Sequence, residues 1–155
     1  MKKTILVSLI FIMVCLVGCS GNGNTTSEGA SAVGVYKDGT YTVEGNEFDS
    51  NGYKSTVSVT VKDGAVYSID CDAVNKDGQK KKAVSESGNY KMKEYGKAQA
   101  EWHEEIALFE KYAVNSGVSG IAVDSNGKTD TVAGCTVSVG DYVDLIEKAL
   151  EKAQE

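Results

Sequence analysis

The residues best placed to do chemistry lie in the segment 130–138, Asp-Thr-Val-Ala-Gly-Cys-Thr-Val-Ser. Small side chains lead directly into a predicted helix, whose first amides have no partner within the helix and whose dipole is positive at that end. Such a place suits an anion, and a phosphate in particular. Gly134 lets a ligand approach the backbone, and Thr136 and Ser138 add hydroxyl groups. An ordinary turn between a strand and a helix, with Ser138 as the cap, explains the same residues.

Histidine and metal chemistry find little support in the sequence. His103 is the single histidine, so neither a histidine-based metal cluster nor a histidine triad can be completed. Ala107 stands where a zinc-protease helix carries its second histidine. The segment 124–129 lacks the glycine that a calcium loop has at its sixth position, so it predicts a turn. No acid–base pair or activated nucleophile is visible, and we do not expect an enzyme.

The elements that must hold this segment begin with strands. Residues 39–45 predict a short strand, and residues 53–62 alternate between apolar and polar side chains as a half-buried strand does. Asp63-Gly64 predicts a tight hairpin turn, followed by a return strand at 65–74. The more apolar residues of the return strand, which are expected to face the core, are Ala65, Tyr67, Ile69 and Cys71.

Helical periodicity takes over in the second half of the chain. Residues 79–96 predict one helical turn and a loop. From residue 97 to 115, apolar residues recur at steps of three and four and predict an amphipathic helix. Gly117 is expected to close that helix, because glycine is common just past a helix end.

A second hairpin and a last helix complete the predicted domain. The hairpin is expected to have strands at 118–123 and 128–133. The last helix is predicted to begin near Ser138, which has the spacing of a capping box with Asp141. An antiparallel sheet packed by two amphipathic helices is an α+β domain.

The N-terminus predicts export. Two lysines precede an apolar stretch at 4–17, which is shorter than the roughly 20 residues of a membrane-spanning helix. Basic residues, an apolar stretch and small residues before Cys19 form the layout of a signal peptide. Leu-Val-Gly-Cys at 16–19 resembles the lipobox of bacterial lipoproteins. The resemblance implies a signal peptide at 1–18 and a lipid on Cys19, and an ordinary secretory signal or an uncleaved anchor is the alternative.

The remaining chain divides into a tether and one domain. Residues 19–35 have too few bulky apolar side chains to fold and predict a flexible tether, while residues 36–155 can form one domain. Without the two lysines of the signal peptide, 14 basic residues oppose 22 acidic ones, which gives a net charge of about −8. Such a domain is not expected to bind nucleic acid. Cys71 and Cys135 remain as free thiols or as a disulfide, and both alternatives are open.

The segment 130–136 resembles the Asp-x-x-Ser-Gly-Ala-Thr motif of the FMN-binding domain family, which includes periplasmic flavin subunits of redox complexes. Asp-Gly-Thr-Tyr at 38–41 is similar to the opening of that family, and the hairpin around Asp63-Gly64 is similar to its second and third strands. Glu-Trp-His-Glu at 101–104 resembles small exported lipoproteins associated with extracellular electron transfer. The resemblance extends over nearly all of residues 37–153.

In that family FMN is often joined through its phosphate to the motif threonine by a flavin transferase. The resemblance therefore implies FMN as the cofactor and Thr136 as its attachment residue. The other residues at or beside the motif positions are Asp130, Gly134, Cys135 and Ser138. Ala133 replaces the usual Ser or Thr and Cys135 replaces the usual Ala, so FMN held without a covalent bond is the alternative.

Several aromatic residues could contact the flavin ring. Trp102, with Tyr90, Met92 and Tyr95, could form a wall for the isoalloxazine ring, or these residues could be plain core. His103 could lie near the ring and tune its potential or pass a proton. Alternatively, it could be an ordinary hydrogen-bonded histidine at the surface.

The resemblance implies a lipid-anchored flavoprotein at the extracytoplasmic face of the cell membrane. It would carry electrons from a membrane redox donor to an acceptor further out. The alternative is a flavin-free lipoprotein of the same fold that acts in surface binding or adhesion. Donation of FMN to a partner and a pheromone released from the signal peptide are further alternatives.

Replacing Cys19 with serine removes the thiol that would accept the lipid, and we expect the chain to leave the membrane fraction. Metabolic labelling with a radioactive fatty acid measures the lipid directly. The wild type and Cys15→Ser, whose change lies inside the predicted signal peptide, should both be labelled. A Cys19→Ser chain that still takes up label would contradict the predicted anchor.

Overall fold

The computed structural model describes residues 36–154, which contain a three-stranded antiparallel sheet. Its strands are β1 (Gly39–Glu44), β2 (Tyr53–Lys62) and β3 (Ala65–Asn75), in the order β1-β2-β3. The alternation along β2 gives the sheet one apolar face, because Val57, Val59 and Val61 are all buried. The three strands match the prediction closely, and β2 has the predicted bounds.

The return strand departs from the expected pattern at a β-bulge. The residues of β3 that pair with β2 run from Ser68 directly to Val66, so Tyr67 is the extra residue. An extra residue exchanges the two faces of a strand. The prediction that Ala65 and Tyr67 face the core is therefore wrong, and Tyr67 is 61% exposed. Beyond the bulge, the buried residues are Ile69, Cys71, Asp72 and Ala73.

Two long helices cover the apolar face of the sheet. The helices of the described residues are α1 (Lys81–Glu86), α2 (Met92–Gly96), α3 (Trp102–Ser116) and α4 (Gly140–Gln154). Helix α3 packs against β3, and α4 packs against β1 and β2. Phe109 of α3 and Ile146 of α4 are among the largest fully buried side chains. This arrangement confirms the predicted α+β fold, and two short helices replace the single helical turn expected at 79–96.

The segment between α3 and α4 corrects the second predicted hairpin. Residues 117–139 form turns and irregular backbone, with no strand assigned in this stretch. The Asp124 carboxylate accepts hydrogen bonds from the amides of Asn126 and Lys128, which closes the predicted turn. The apolar residues on either side do not alternate as strands do. The buried ones are Val118, Ile121 and Val132, and each enters the core separately.

The start of α4 also differs from the prediction. The Gly127 carbonyl accepts hydrogen bonds from the amides of Val139 (2.7 Å) and Gly140 (3.0 Å). The Ser138 hydroxyl has no hydrogen bond to any other residue of the range 36–154, so the predicted capping box does not form. A backbone carbonyl from the 124–128 turn takes its place, and this contact presses the turn against the beginning of the helix.

Cys71 and Cys135 are both buried and both free. Of the two alternatives left open by the sequence, the structure therefore has thiols and not a disulfide. None of the helices within residues 36–154 is both long and apolar enough to cross a membrane. The predicted signal peptide, the lipidated Cys19 and the tether at 19–35 lie outside the described residues.

Candidate functional site

A cleft of about 490 Å³ lies where the sheet, the helices and two loops meet. Its walls come from the loop between β1 and β2, Ser55 of β2, the segment from α1 to α2, the first residue of α3, the backbone that leads into α4, and Asp141 and Tyr142 of α4. Its volume falls within the range of about 300–1,000 Å³ that is usual for small-molecule sites. The cleft therefore brings together residues that are far apart in the sequence.

One wall of the cleft is aromatic and encloses a lysine. The Lys81 ammonium lies 4.8 Å from the ring centre of Trp102, 5.0 Å from that of Tyr90 and 5.1 Å from that of Tyr53. Lys81 is only 6% exposed, yet it has no ion pair with any described carboxylate. A buried lysine that lies among ring faces and forms no ion pair is an unusual feature in a small domain.

The next lysine in the sequence has the opposite environment. Burial lowers the pKa of Lys81, against the opposing effect of Asp49 and Asp72. Burial also acts on Lys82, but its hydrogen bonds to Asp70 and Glu110 outweigh burial and raise its pKa. Lys82 is thus a paired structural cation, whereas Lys81 is a cation available to a ligand of the cleft.

The aromatic wall is held in place from α3. The Glu101 carboxylate accepts hydrogen bonds from the amides of Met92 (2.8 Å) and Lys93 (3.3 Å), which fixes the first turn of α2. The Glu104 carboxylate in turn accepts from the Glu101 amide (2.8 Å). Met92 consequently lies in the cleft wall beside Tyr90.

The opposite wall is the threonine turn, which comprises residues 134–138. A buried acid binds it: the Glu105 carboxylate accepts hydrogen bonds from the amides of Thr136 (2.6 Å) and Val137 (3.1 Å). The Thr136 hydroxyl donates to the same carboxylate, at 2.8 Å and 3.1 Å from its two oxygens. Glu105 itself is fully buried. A carboxylate without a nearby cation is tolerated there because several donors surround it.

These contacts correct the expectation that the backbone amides of this turn are unpaired and free to bind a phosphate. The Thr136 and Val137 amides already bind Glu105, and the Cys135 amide binds the Val132 carbonyl at 3.1 Å. The anion that this turn attracts is a side chain of the protein. Sequence reasoning missed Glu105, although its position three residues after Trp102 on the buried stripe of a helix was a usable signal.

Some of the predicted site residues line the cleft, and others do not. Those in the cleft wall are Trp102, Tyr90, Met92, Thr136 and Ser138. Asp130 is exposed elsewhere, Tyr95 is 73% exposed outside the cleft, and Gly134 lies against Leu108, where an added Cβ would come within 3.0 Å of the Leu108 side chain. Gly134 thus serves the packing of the turn rather than the approach of a ligand.

The remaining predicted residues point away from the cleft. His103 Nδ1 lies 2.9 Å from the Ser85 hydroxyl, which ties α3 to α1. Cys135 is buried in the core, and burial together with the Glu105 charge raises the pKa of its thiol to about 11. The two departures from the motif therefore lie outside the cleft, because Ala133 borders a separate surface hollow beside Leu108.

Two solved structures are similar to this chain. One, determined in solution by NMR, is a protein from Clostridium thermocellum that is 45% identical, with a TM-score of 0.58 over 77% of this chain and 93% of its own length. The other is a crystal structure of a protein from Clostridium perfringens, 28% identical, with a TM-score of 0.58 over 77% of this chain and 89% of its own. Both were structural genomics targets.

The sequence identity to the Clostridium thermocellum protein, over most of both chains, is high enough to show a common family. This chain belongs to the same family as the Clostridium thermocellum protein. No model of a known protein family matches the chain, and no curated protein matches it. Its function must therefore be argued from the cleft.

Replacing Lys81 with methionine should cost less than about 1 kcal/mol of unfolding free energy at pH 7, because it breaks no ion pair within the described domain. Lys82→Met should cost about 1–3 kcal/mol, since Glu110 loses its partner. The measurement is urea unfolding of the full chain.

The pH dependence of the two variants gives a further test. The pKa of Lys81 is lower in the folded state, so the unfolded state binds more protons at alkaline pH. Wild-type stability relative to Lys81→Met should therefore rise as the pH increases through the folded pKa towards 10.5. A relative stability that falls over this window would contradict the assigned environment.

Proposed function

We propose that the cleft binds FMN and that the domain carries electrons as a lipid-anchored flavoprotein outside the cytoplasmic membrane. The observation that carries the proposal is Lys81, a buried cation among three aromatic rings that forms no ion pair within residues 36–154. Such a lysine costs stability unless a ligand uses it. A flat, electron-accepting ring that becomes more negative on reduction is a ligand of the right chemistry.

The described residues fit FMN in two parts. The ring would lie against the aromatic wall of Trp102, Tyr90 and Met92, beside Lys81. The phosphate would lie towards the threonine turn, where side chains rather than the backbone amides must bind it. Suitable groups in the cleft wall at this end are the side chains of Asn126, Lys128, Thr136 and Ser138. Their proximity follows from the packing of the 124–128 turn on the residues before α4.

When bound, FMN supplies the redox chemistry, and the protein sets its position and its potential. Lys81 beside the ring would stabilise the negative charge of the reduced flavin and so favour reduction. The tether at 19–35 would let the domain move between a membrane redox donor and an acceptor further out. The domain would then act as a carrier rather than as an enzyme.

A flavin-free binding lipoprotein remains the second candidate, and one observation favours it. The Glu105 carboxylate already accepts the hydrogen bonds of the Thr136 and Val137 amides, so these amides are not free to bind a phosphate. This candidate and the first differ in whether the cleft takes up FMN, with or without a covalent bond to Thr136.

Coexpression of the full chain with a flavin transferase tests the proposal through the mass of the protein. We expect the wild type to gain the mass of one FMN less water, and Thr136→Ala to gain none, because the attacking hydroxyl is gone. Thr131→Ala is the matched control, as Thr131 is an exposed neighbour that does not line the cleft. A wild type with neither added mass nor bound yellow colour would favour the flavin-free candidate.

A further inference from the structure

Glu105 binds a side chain of the threonine turn as well as its backbone. The amides of Thr136 and Val137 donate hydrogen bonds to its carboxylate. The carboxylate also accepts the hydroxyl proton of Thr136, with the shorter contact at 2.8 Å. That side chain is an exposed one in the cleft wall, so a fully buried base is directed at a single reactive group that faces a ligand site.

We propose that Glu105 is the residue that takes the proton from Thr136 Oγ1 when a flavin phosphate is attached there. This inference rests on the proposed function and adds a base to it. The Thr136 oxygen forms a bond to the flavin-bearing phosphorus of a flavin pyrophosphate such as FAD. The bond between that phosphorus and the bridging oxygen breaks, the adenine nucleotide leaves as AMP, and the hydroxyl proton passes to the Glu105 carboxylate. No electrons are transferred in this step.

The geometry meets the requirements of a general base. A base must lie within about 2.6–3.2 Å of the atom whose proton it removes, and both Glu105 oxygens satisfy this condition. Glu105 is also the only described acid whose carboxylate accepts a hydrogen bond from Thr136. His103 cannot substitute for it, because its ring binds Ser85.

The same contacts orient the nucleophile. The Thr136 amide and hydroxyl bind one carboxylate, so the side chain is held in a single orientation. The neighbouring Val137 amide adds a third donor to the same carboxylate oxygen, Oε2. An attacking oxygen held in this way loses little freedom when the reaction begins.

The test compares flavin attachment in Glu105→Gln, Glu105→Asp and the control Glu147→Gln, using the full chain, FAD and a flavin transferase. Glu147 is an exposed acid of α4 that does not line the cleft. Glutamine keeps the size of glutamate and can still accept from the amides, but it cannot take up the proton. Aspartate keeps the acid but is shorter. The rate of mass gain is measured per folded molecule, with circular dichroism and uptake of added FMN recorded for each variant.

We expect Glu147→Gln to match the wild type and Glu105→Gln to attach flavin at least about 100-fold more slowly, the usual effect of losing a general base. Aspartate should be faster than glutamine, even if either variant is less stable. A glutamine variant that attaches flavin as fast as the wild type, or faster than the aspartate variant, would overturn the inference. If Glu105 only holds the turn, glutamine, which has the size of glutamate, should perform better than the shorter aspartate. If the wild type gains flavin and this ranking fails, the base is wrong and the proposed function stands. If the wild type takes up no flavin, both fail.

Discussion

The buried carboxylate of Glu105 determines how the cleft is put together. It lies on α3 three residues after Trp102, and it binds the threonine turn that leads into α4. Through this contact the helix that supplies the aromatic wall also positions the hydroxyl of Thr136. The two features that could hold a ligand, a ring-lined surface and a reactive side chain, are thus set relative to each other by one ionic group with several donors.

The charges of the site are arranged in a complementary way. Lys81 supplies a cation on the aromatic side and Glu105 supplies an acid on the threonine side, and neither forms an ion pair within the described residues. Lys81 would be costly in a well-packed interior if it served the fold alone, whereas hydrogen-bond donors compensate the buried charge of Glu105. A ligand that brings a reducible ring to the lysine and a phosphorus to the threonine would use both.

Much of the fold could be predicted because local patterns are strong. The alternation in β2, the Asp63-Gly64 turn and the stripes of α3 and α4 each agree with the structure. The hairpin expected at 118–133 failed because its apolar residues are separate anchors in the core, and short apolar runs around a turn resemble strands.

The candidate site was only partly visible in the sequence. Three of the predicted site residues, Thr136, Ser138 and Trp102, line the cleft, but Lys81 and Glu105 were missed. Charged residues are ordinarily assigned to the surface, and only the tertiary packing reveals that these two are buried. His103 was predicted to lie near the flavin ring because it follows Trp102 in the sequence. Its position on the helix instead directs its ring towards Ser85.

The most direct test of the account uses Trp102, the single tryptophan of the chain and a residue of the cleft wall. Full chain made without a flavin transferase is titrated with FMN while tryptophan emission is recorded, with free tryptophan as the correction for light absorbed by the flavin. The account predicts saturable quenching at one FMN per chain, and a weaker effect from riboflavin, which lacks the phosphate. A folded chain whose corrected emission shows no saturable response to FMN would contradict the proposal that the cleft is a flavin site.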